Sequence, residues 1–486
     1  MGMKILLVNV PHLSIGSRLP KEHLPPLGLL AIGGPLIDVG HDVELYDADY
    51  YNYATQQVAD EVLKRKPDAV MMGHSGSTSA QPVINEITRM IRAKNARMKI
   101  IIGGVFPTFH WREVLANNPQ IDYIVCGEGE ATVPKLVHAL EHGLPPETIA
   151  GLAFRTQGVP SKTPPADPIK NLDDFRVGWE LMNAYNYTYW GKHKAVVIQF
   201  SRGCNHRCIY CGQNLFWREW RRRSPQSLAD EIEMLHTKYG VKVFDFADEN
   251  PAADREAWKE LLEAIIAKNM DIILVGSIRA DHIVRDADIL HLYKKAGFDR
   301  FLLGIENYDE EVLKNLKKGS SISKDRQAIQ LLRKHDIISM ATYVVGFGDE
   351  KIIDFYHSLK HLLSYDPDQI QLMYATPHQW APYFEDVKER EVVISDQRKW
   401  DFKHQVLAMK YLKPWQTIVC VKLIEAVLQT RPKTLKRLFF HQDARFRKAM
   451  FWYTNIGKRV WVWELFEFFF LAGTVKGKML LKDFWA

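Results

Sequence analysis

Three cysteines, Cys204, Cys208 and Cys211, stand as Cys-x3-Cys-x2-Cys in the run Ser-Arg-Gly-Cys-Asn-His-Arg-Cys-Ile-Tyr-Cys-Gly. A cubane [4Fe-4S] cluster normally takes four thiolates, so three at this spacing leave one iron open to a small molecule. The competing reading is a structural zinc site, which wants a fourth Cys or a His at tetrahedral distance. His206 lies between the cysteines and is awkwardly placed for that. Cys126 and Cys420, the remaining two of five, fall far away in segments that read as a strand end and a helix. The pattern therefore favours the cluster.

This motif resembles the signature of the radical S-adenosylmethionine (SAM) enzymes. The resemblance implies that the open iron chelates SAM and that one electron cleaves it to a 5′-deoxyadenosyl radical able to take hydrogen from unactivated carbon. Tyr210, before the third cysteine, matches the aromatic residue of that family and is expected to shield the cluster and touch adenine.

Composition suits a large enzyme. The chain has 486 residues, 47% hydrophobic and 25% charged, with a net charge of +6. That length suggests two to four domains. No leader-like segment opens it and no apolar run reaches about 18 residues, so neither secretion nor a membrane span is expected. Few cysteines, three of them clustered, suit a reducing, oxygen-poor cytoplasm.

Residues 1–145 alternate apolar runs with helical patterns. Candidate strands are Lys4 to Val10, Val43 to Asp47, Ala69 to Gly73, Lys99 to Gly104 and Tyr123 to Gly127. Alternation of this kind predicts an α/β, Rossmann-like parallel sheet that binds ligands at the carboxyl ends of its strands. Gly73-His-Ser-Gly-Ser-Thr78, Gly103-Gly-Val-Phe-Pro-Thr108 and Gly127-Glu-Gly-Glu130 fall there. Tight turns alone would explain these glycines. Their order upstream of the cysteines, however, resembles the cobalamin domain of B12-dependent radical SAM enzymes. The Asp-x-His-x-x-Gly pattern of other B12 proteins is absent, so the resemblance implies base-off cobalamin without a protein His ligand. It places Ser75, Ser77 and Thr78 near the lower face of the corrin. Gly103, Gly104, Thr108, Gly127 and Glu128 would lie along the nucleotide tail.

After an expected linker at 146–190, residues 191–390 repeat the alternation. Candidate strands begin at Ala195 to Phe200 and end near Phe246, Ser277, Glu306 and Gly348. The resemblance implies a partial (β/α)6 radical SAM barrel. In it Glu249 would accept from the SAM amino group, Arg279 would meet its carboxylate or ribose, Glu306 would bond the ribose hydroxyls, and Gly346 would let backbone approach adenine. Each alone reads more readily as an ordinary barrel-mouth charge, and Gly346 as a simple turn. Together at successive strand ends they suit a zwitterion bearing a sugar.

Three further stretches are more specific: Gln213 to Pro225, Phe246 to Pro251, and Met373-Tyr-Ala-Thr-Pro-His-Gln-Trp-Ala-Pro382. They resemble the anaerobic magnesium-protoporphyrin IX monomethyl ester oxidative cyclase family. Two departures are the opening Pro11 to Pro20 and the lack of a long charged carboxyl-terminal extension. The resemblance implies formation of the isocyclic ring of (bacterio)chlorophyll, with water as oxygen source and an external low-potential donor such as flavodoxin or ferredoxin. A flat tetrapyrrole needs aromatic walls and cations for its propionates. Trp217, Arg221, His378 and Trp380 are the candidates, against a reading in which the tryptophans pack the barrel and the arginines are solvated. A cobalamin-dependent radical SAM methyltransferase shares every cofactor motif, and a non-catalytic B12-binding regulator is the third class.

Residues 391–486 turn helical, basic and aromatic, ending in Val460-Trp-Val-Trp-Glu-Leu-Phe-Glu-Phe-Phe-Phe-Leu-Ala472. Two readings stand: a helix closing the barrel, or an interfacial helix making peripheral contact with the inner membrane. No nucleic-acid recognition motif accompanies the basic residues.

Overall fold

The computed structural model describes residues 2–12, 22–74, 78–471 and 479–484. They divide into two compact units. The first consists mainly of His23–Tyr187 with Gly212–Arg222 and the amino-terminal strand; the second comprises chiefly Thr188–Cys211 and Arg223–Ala486.

In the first unit, β1 (Lys4–Asn9), β2 (Asp42–Asp47), β3 (Ala69–His74), β4 (Lys99–Gly104) and β5 (Tyr123–Val125) pair in parallel in the order β2-β1-β3-β4-β5. Their apolar runs are buried on both faces, as a parallel sheet between helical layers requires. Amphipathic helices such as Thr55–Arg65 and Ala80–Lys94 supply the cover. The stretch expected as a linker is corrected in part: β6 (Leu152–Thr156) and β7 (Val159–Lys162) form an antiparallel hairpin that extends this same sheet. Its two-residue turn, Gln157-Gly158, has positive φ at both positions, 52° and 83°, the backbone of a primed hairpin turn.

In the second unit, β8 (Thr188–Tyr189) pairs antiparallel with β9 (His193–Ile198). Parallel strands β10 (Val243–Phe246), β11 (Ile273–Ser277), β12 (Phe298–Glu306), β13 (Ile338–Val345) and β14 (Gln369–Tyr374) follow in sequence order. Six consecutive parallel strands with helical crossovers make a half-barrel. Its core is aromatic: Trp258 is fully buried among Phe246, Phe298 and Tyr293, and Phe298 stacks on Phe301 at 4.5 Å.

The carboxyl-terminal helices Pro414–Thr430, Pro432–Phe440 and Ala444–Phe466 pack on this unit. Tyr453 of the last helix donates to the carbonyl of Ile370 and accepts from its N–H, so the helix covers the edge strand β14, a common protection for open ladders. Lys422 is buried between Glu425 and Glu464. No described helix is long and apolar enough to cross a membrane.

Candidate functional site

The cysteine loop leaves β9 through Ser201 and Arg202, and Gly203 turns it with φ 87°, a left-handed conformation that side chains resist. Asp248, after β10, fixes its root. The carboxylate accepts from the N–H groups of Phe200 and Ser201 and from the Ser201 hydroxyl. Burial pushes the Asp248 carboxyl up to about 6 against these bonds. The loop's far end is tied by Ile209, whose N–H donates to the Leu316 carbonyl and whose carbonyl accepts from Tyr383 N–H. Cys204, Cys208 and Cys211 are all half-buried thiols on this one loop, and the N–H of His206 points at Cys204 Sγ from 3.5 Å. Glu249 is close enough to Cys204 to influence its thiol electrostatically.

Strand β12 ends beside the loop on a strained residue. Glu306 has φ 65° at a register shift between Gly304 and Glu306, the kind of outlier that clusters at functional sites. Its carboxylate accepts from Lys318 Nζ at 3.1 Å and from the Tyr210 hydroxyl at 3.2 Å. Gly304 makes room for this pair, because a Cβ there would stand 2.4 Å from Glu306 Oε1 and 2.6 Å from Lys318 Nζ. Burial alone would depress the Lys318 ammonium, but Glu306 and the Cys208 thiol outweigh it and the pKa rises. The Tyr210 phenol is driven well up by burial and by Glu306, Cys208 and Cys211. Tyr210 also packs on Phe347, ring centroids 5.2 Å apart.

Arg279 stands differently from the expectation of an open fork. Its Nε and Nη2 grip Asp281 at 2.9 and 3.2 Å, and Nη2 also reaches the carbonyls of Lys318 and Gly319, which leaves Nη1. Gly346 takes the turn expected of it with φ 93°, but its peptide groups are engaged: the carbonyl accepts from Tyr383 and Arg390, and the N–H donates to Glu350. The imidazoles of His206 and His282 and the Asp281 carboxylate lie within 4.8 Å of one another, close enough to share a cation. Asp281, however, is already paired with Arg279.

In the first unit, Gly104 adopts φ 103°, and a Cβ on it would meet the His74 carbonyl at 2.2 Å. Thr108 joins the β4 and β5 turns: its hydroxyl donates to the Gly104 carbonyl and accepts from Gly127 N–H. Gly103 faces Gly73 across the β3–β4 ladder, Thr78 is buried, and Gly127 has φ 85°. Ser75 and Ser77 lie outside the described residues. Thr108, Gly127 and Glu128 line a cavity of about 130 Å³ together with Lys162 and Trp217, so Trp217 stands beside residues expected at the cofactor tail. Arg221 corrects the reading of a solvated or substrate-facing cation. It is buried, and its guanidinium donates to Glu128 and to the carbonyls of Ile169 and Trp217. Glu128 also accepts from Ile169 N–H, so both members of the pair brace the unit.

His378 and Trp380, after β14, stack with ring centroids 4.7 Å apart and planes 21° from parallel. His378 is buried and Trp380 partly open. Sequence reasoning missed Asp248 and Lys318, whose partners lie 47 and 48 and 12 residues away, and Asp281, which pairs with its near neighbour Arg279.

Residues 198–362 match the Radical SAM superfamily model, and residues 18–137 match the B12 binding domain model. The sequence is 51% identical over 483 residues to the anaerobic magnesium-protoporphyrin IX monomethyl ester cyclase of Synechocystis sp., covering 99% of this chain and 97% of that protein. The chain belongs to this cyclase family. It is 30% identical over 409 residues to the cyclase of Rubrivivax gelatinosus, covering 82% of this chain and 72% of the relative. The radical SAM methyltransferase TsrM of Kitasatospora setae, solved with cobalamin and a [4Fe-4S] cluster, shares the fold at TM-score 0.67 and 18% identity, over 80% of this chain and 75% of that one. The protein is a radical SAM oxidoreductase using a [4Fe-4S] cluster, SAM and cobalamin. The residues present suit these groups: three thiols on one loop, buried donors and acceptors around Gly304, and the strand-end Gly104, where a Cβ would collide with the His74 carbonyl.

Proposed function

We propose that the protein closes the isocyclic ring of (bacterio)chlorophyll on magnesium-protoporphyrin IX 13-monomethyl ester, taking oxygen from water. The near-full-length 51% identity to a protein of that name carries this reading. The overall change replaces four hydrogens by one oxygen, so one water enters and six electrons and six protons leave; conversion of three SAM to 5′-deoxyadenosine and methionine would take up the six electrons and three of the protons, the other three passing to solvent.

When bound, the cluster and SAM supply hydrogen abstraction from unactivated carbon, with cobalamin as partner cofactor. The chain's own residues do the holding. Cys204, Cys208 and Cys211 ligate the cluster, and Asp248 keeps their loop rooted. Tyr210 covers it on one side. Glu306, preset by Lys318 and Tyr210, accepts from ribose hydroxyls, while Glu249 accepts from an ammonium and Arg279 Nη1 donates to a carboxylate. The His378–Trp380 stack offers the flat surface that a tetrapyrrole needs. Arg221 is not counted among the propionate partners, because its fork is spent on Glu128 and two carbonyls.

An external flavodoxin or ferredoxin delivers the low-potential electron. The protein works in the cytoplasm and meets the inner membrane peripherally through the aromatic end of its last long helix, where Trp463, Phe466 and Phe470 are exposed.

The test is anaerobic reconstitution with iron, sulfide and cobalamin, followed by SAM, reductant and magnesium-protoporphyrin IX monomethyl ester in labelled water. A product heavier by one oxygen and lighter by four hydrogens, with the label in the new carbonyl, supports the cyclase. Gain of a CH2 instead moves the protein to the methyltransferases. 5′-Deoxyadenosine or S-adenosylhomocysteine with an unchanged porphyrin refutes this substrate.

A further inference from the structure

The first sheet has the order β2-β1-β3-β4-β5, so the chain reverses direction of growth between β1 and β3. In open parallel sheets ligands settle outside the carboxyl ends of the strands at that switch point. Two histidines stand there. His74 is the last residue of β3, and His12 follows β1 by three positions. Their rings meet edge to face with centroids 3.8 Å apart.

Each ring is held rather than loose. Residue 74 is in register with Gly104, whose missing Cβ lets the two backbones close up. His12 Nδ1 lies 2.7 Å from the Val10 carbonyl, and its own N–H donates to Asp49. A carbonyl only accepts, so the His12 Nδ1 carries the proton and the tautomer is set. Burial depresses both imidazoles, His74 strongly, and the neighbouring His12 depresses His74 further. Both rings are therefore neutral bases at pH 7. His74 Nδ1 is buried and has no hydrogen-bond partner among the described residues. A buried orphan nitrogen on a neutral imidazole calls for an explanation, and a metal is a common one.

We infer that His74 presents an imidazole nitrogen to the lower face of cobalt in the bound corrin and that His12 is the positioning residue that holds the His74 ring. The nucleotide base stays off the metal, and the ligand arrives from the end of β3 instead of from the Asp-x-His-x-x-Gly context that this chain lacks, a departure from the His-free cobalamin that the resemblance implies. The inference rests on cobalamin occupying the β1/β3 switch point.

The test uses the full-length protein loaded with cob(II)alamin and followed by electron paramagnetic resonance. An axial nitrogen-14 splits each cobalt line into three; a nitrogen-15 splits it into two. Protein carrying nitrogen-15 histidine with unlabelled cobalamin is expected to show two-line splitting. His74→Ala should abolish it and weaken cob(II)alamin binding by about tenfold or more, whereas His12→Ala should keep it with about tenfold weaker binding. Three-line splitting in the labelled protein means that the nucleotide base is the ligand and overturns the inference. Stoichiometric cobalamin with no splitting overturns it as well, and so does splitting that survives in His74→Ala but not in His12→Ala. Failure to bind cobalamin at all overturns the cofactor site beneath it. The labelled wild-type spectrum decides even where a variant does not fold.

Discussion

Asp248 shows how a single side chain can govern a site that it does not enter. It touches no cysteine, yet three hydrogen bonds from its carboxylate hold the backbone from which the cysteine loop departs. Asp248→Asn replaces one acceptor oxygen with an NH2 that faces a backbone N–H, so about 1–3 kcal/mol should be lost. Iron content after reconstitution should fall accordingly. The pH dependence has a definite sign. Burial lifts the folded pKa from 3.8 to about 6, so the folded state holds this proton more tightly than the unfolded chain. The stabilisation is full below about pH 4 and is lost as pH rises to about 6. The melting-temperature advantage of the wild type over Asp248→Asn should therefore narrow across that window. A constant gap would refute the assignment. None of this was legible beforehand: Asp248 looks like one more charge beside Glu249, and its partners lie 47 and 48 residues away. The cysteines were legible because their meaning lies in spacing alone.

At the scale of elements, the sequence announces what is periodic and conceals what is paired. Four of the five parallel strands of the first sheet stand out as short apolar runs, because burial on both faces leaves no room for polar alternation, whereas the edge strand β2 is half-polar and open at its start. The β6–β7 hairpin does not, since its strands are short, half-polar and joined by Gln-Gly instead of Asn-Gly. The end of β12 is a similar case: the strand is readable, but the left-handed turn at Glu306 and its long-range partner Lys318 are not. Gly304→Ala tests that end. The added Cβ would collide only with the tips of two flexible side chains, so stability should change by less than about 1 kcal/mol while the Glu306–Lys318 pair is displaced. SAM affinity, measured by equilibrium binding to the reconstituted protein, should drop at least several-fold with the cluster absorbance retained. Unchanged affinity would remove Glu306 from the SAM site. In the carboxyl-terminal helices, Lys422 is buried between the carboxylates of Glu425 and Glu464. Lys422→Met removes the cation from a buried ion-pair cluster, and about 3–5 kcal/mol of stability should be lost, read as a lowered midpoint in urea. A variant as stable as the wild type would show that this buried ion pair contributes no net stability.

For the molecule as a whole, the last long helix serves two demands at once. One side covers the edge of β14 through Tyr453 and buries Glu464 against Lys422. The other leaves Val462, Trp463, Phe466, Phe469, Phe470 and Leu471 exposed, from 45% to 74%. Trp463, Phe466 and Phe470 form a ladder with ring centroids 5.7 and 5.1 Å apart, and the exposed cations Lys458 and Arg459 lie one turn before it. An aromatic ladder beside cations is the composition of a helix that lies in a bilayer interface, with rings among the acyl chains and cations at anionic headgroups. In the membrane contact proposed above, the covered side would keep the helix from inserting more deeply. Binding should therefore be shallow, reversible and salt-sensitive. Reconstituted protein should co-sediment with vesicles containing phosphatidylglycerol more than with neutral ones, and the bound fraction should fall as salt rises from about 0.05 to 0.5 M. The double variant Phe466→Ser, Phe470→Ser should bind at least fivefold more weakly while keeping its cluster. Equal binding of the variant, or none by the wild type, would mean that this aromatic face serves a protein partner and that the substrate reaches the enzyme away from the membrane surface.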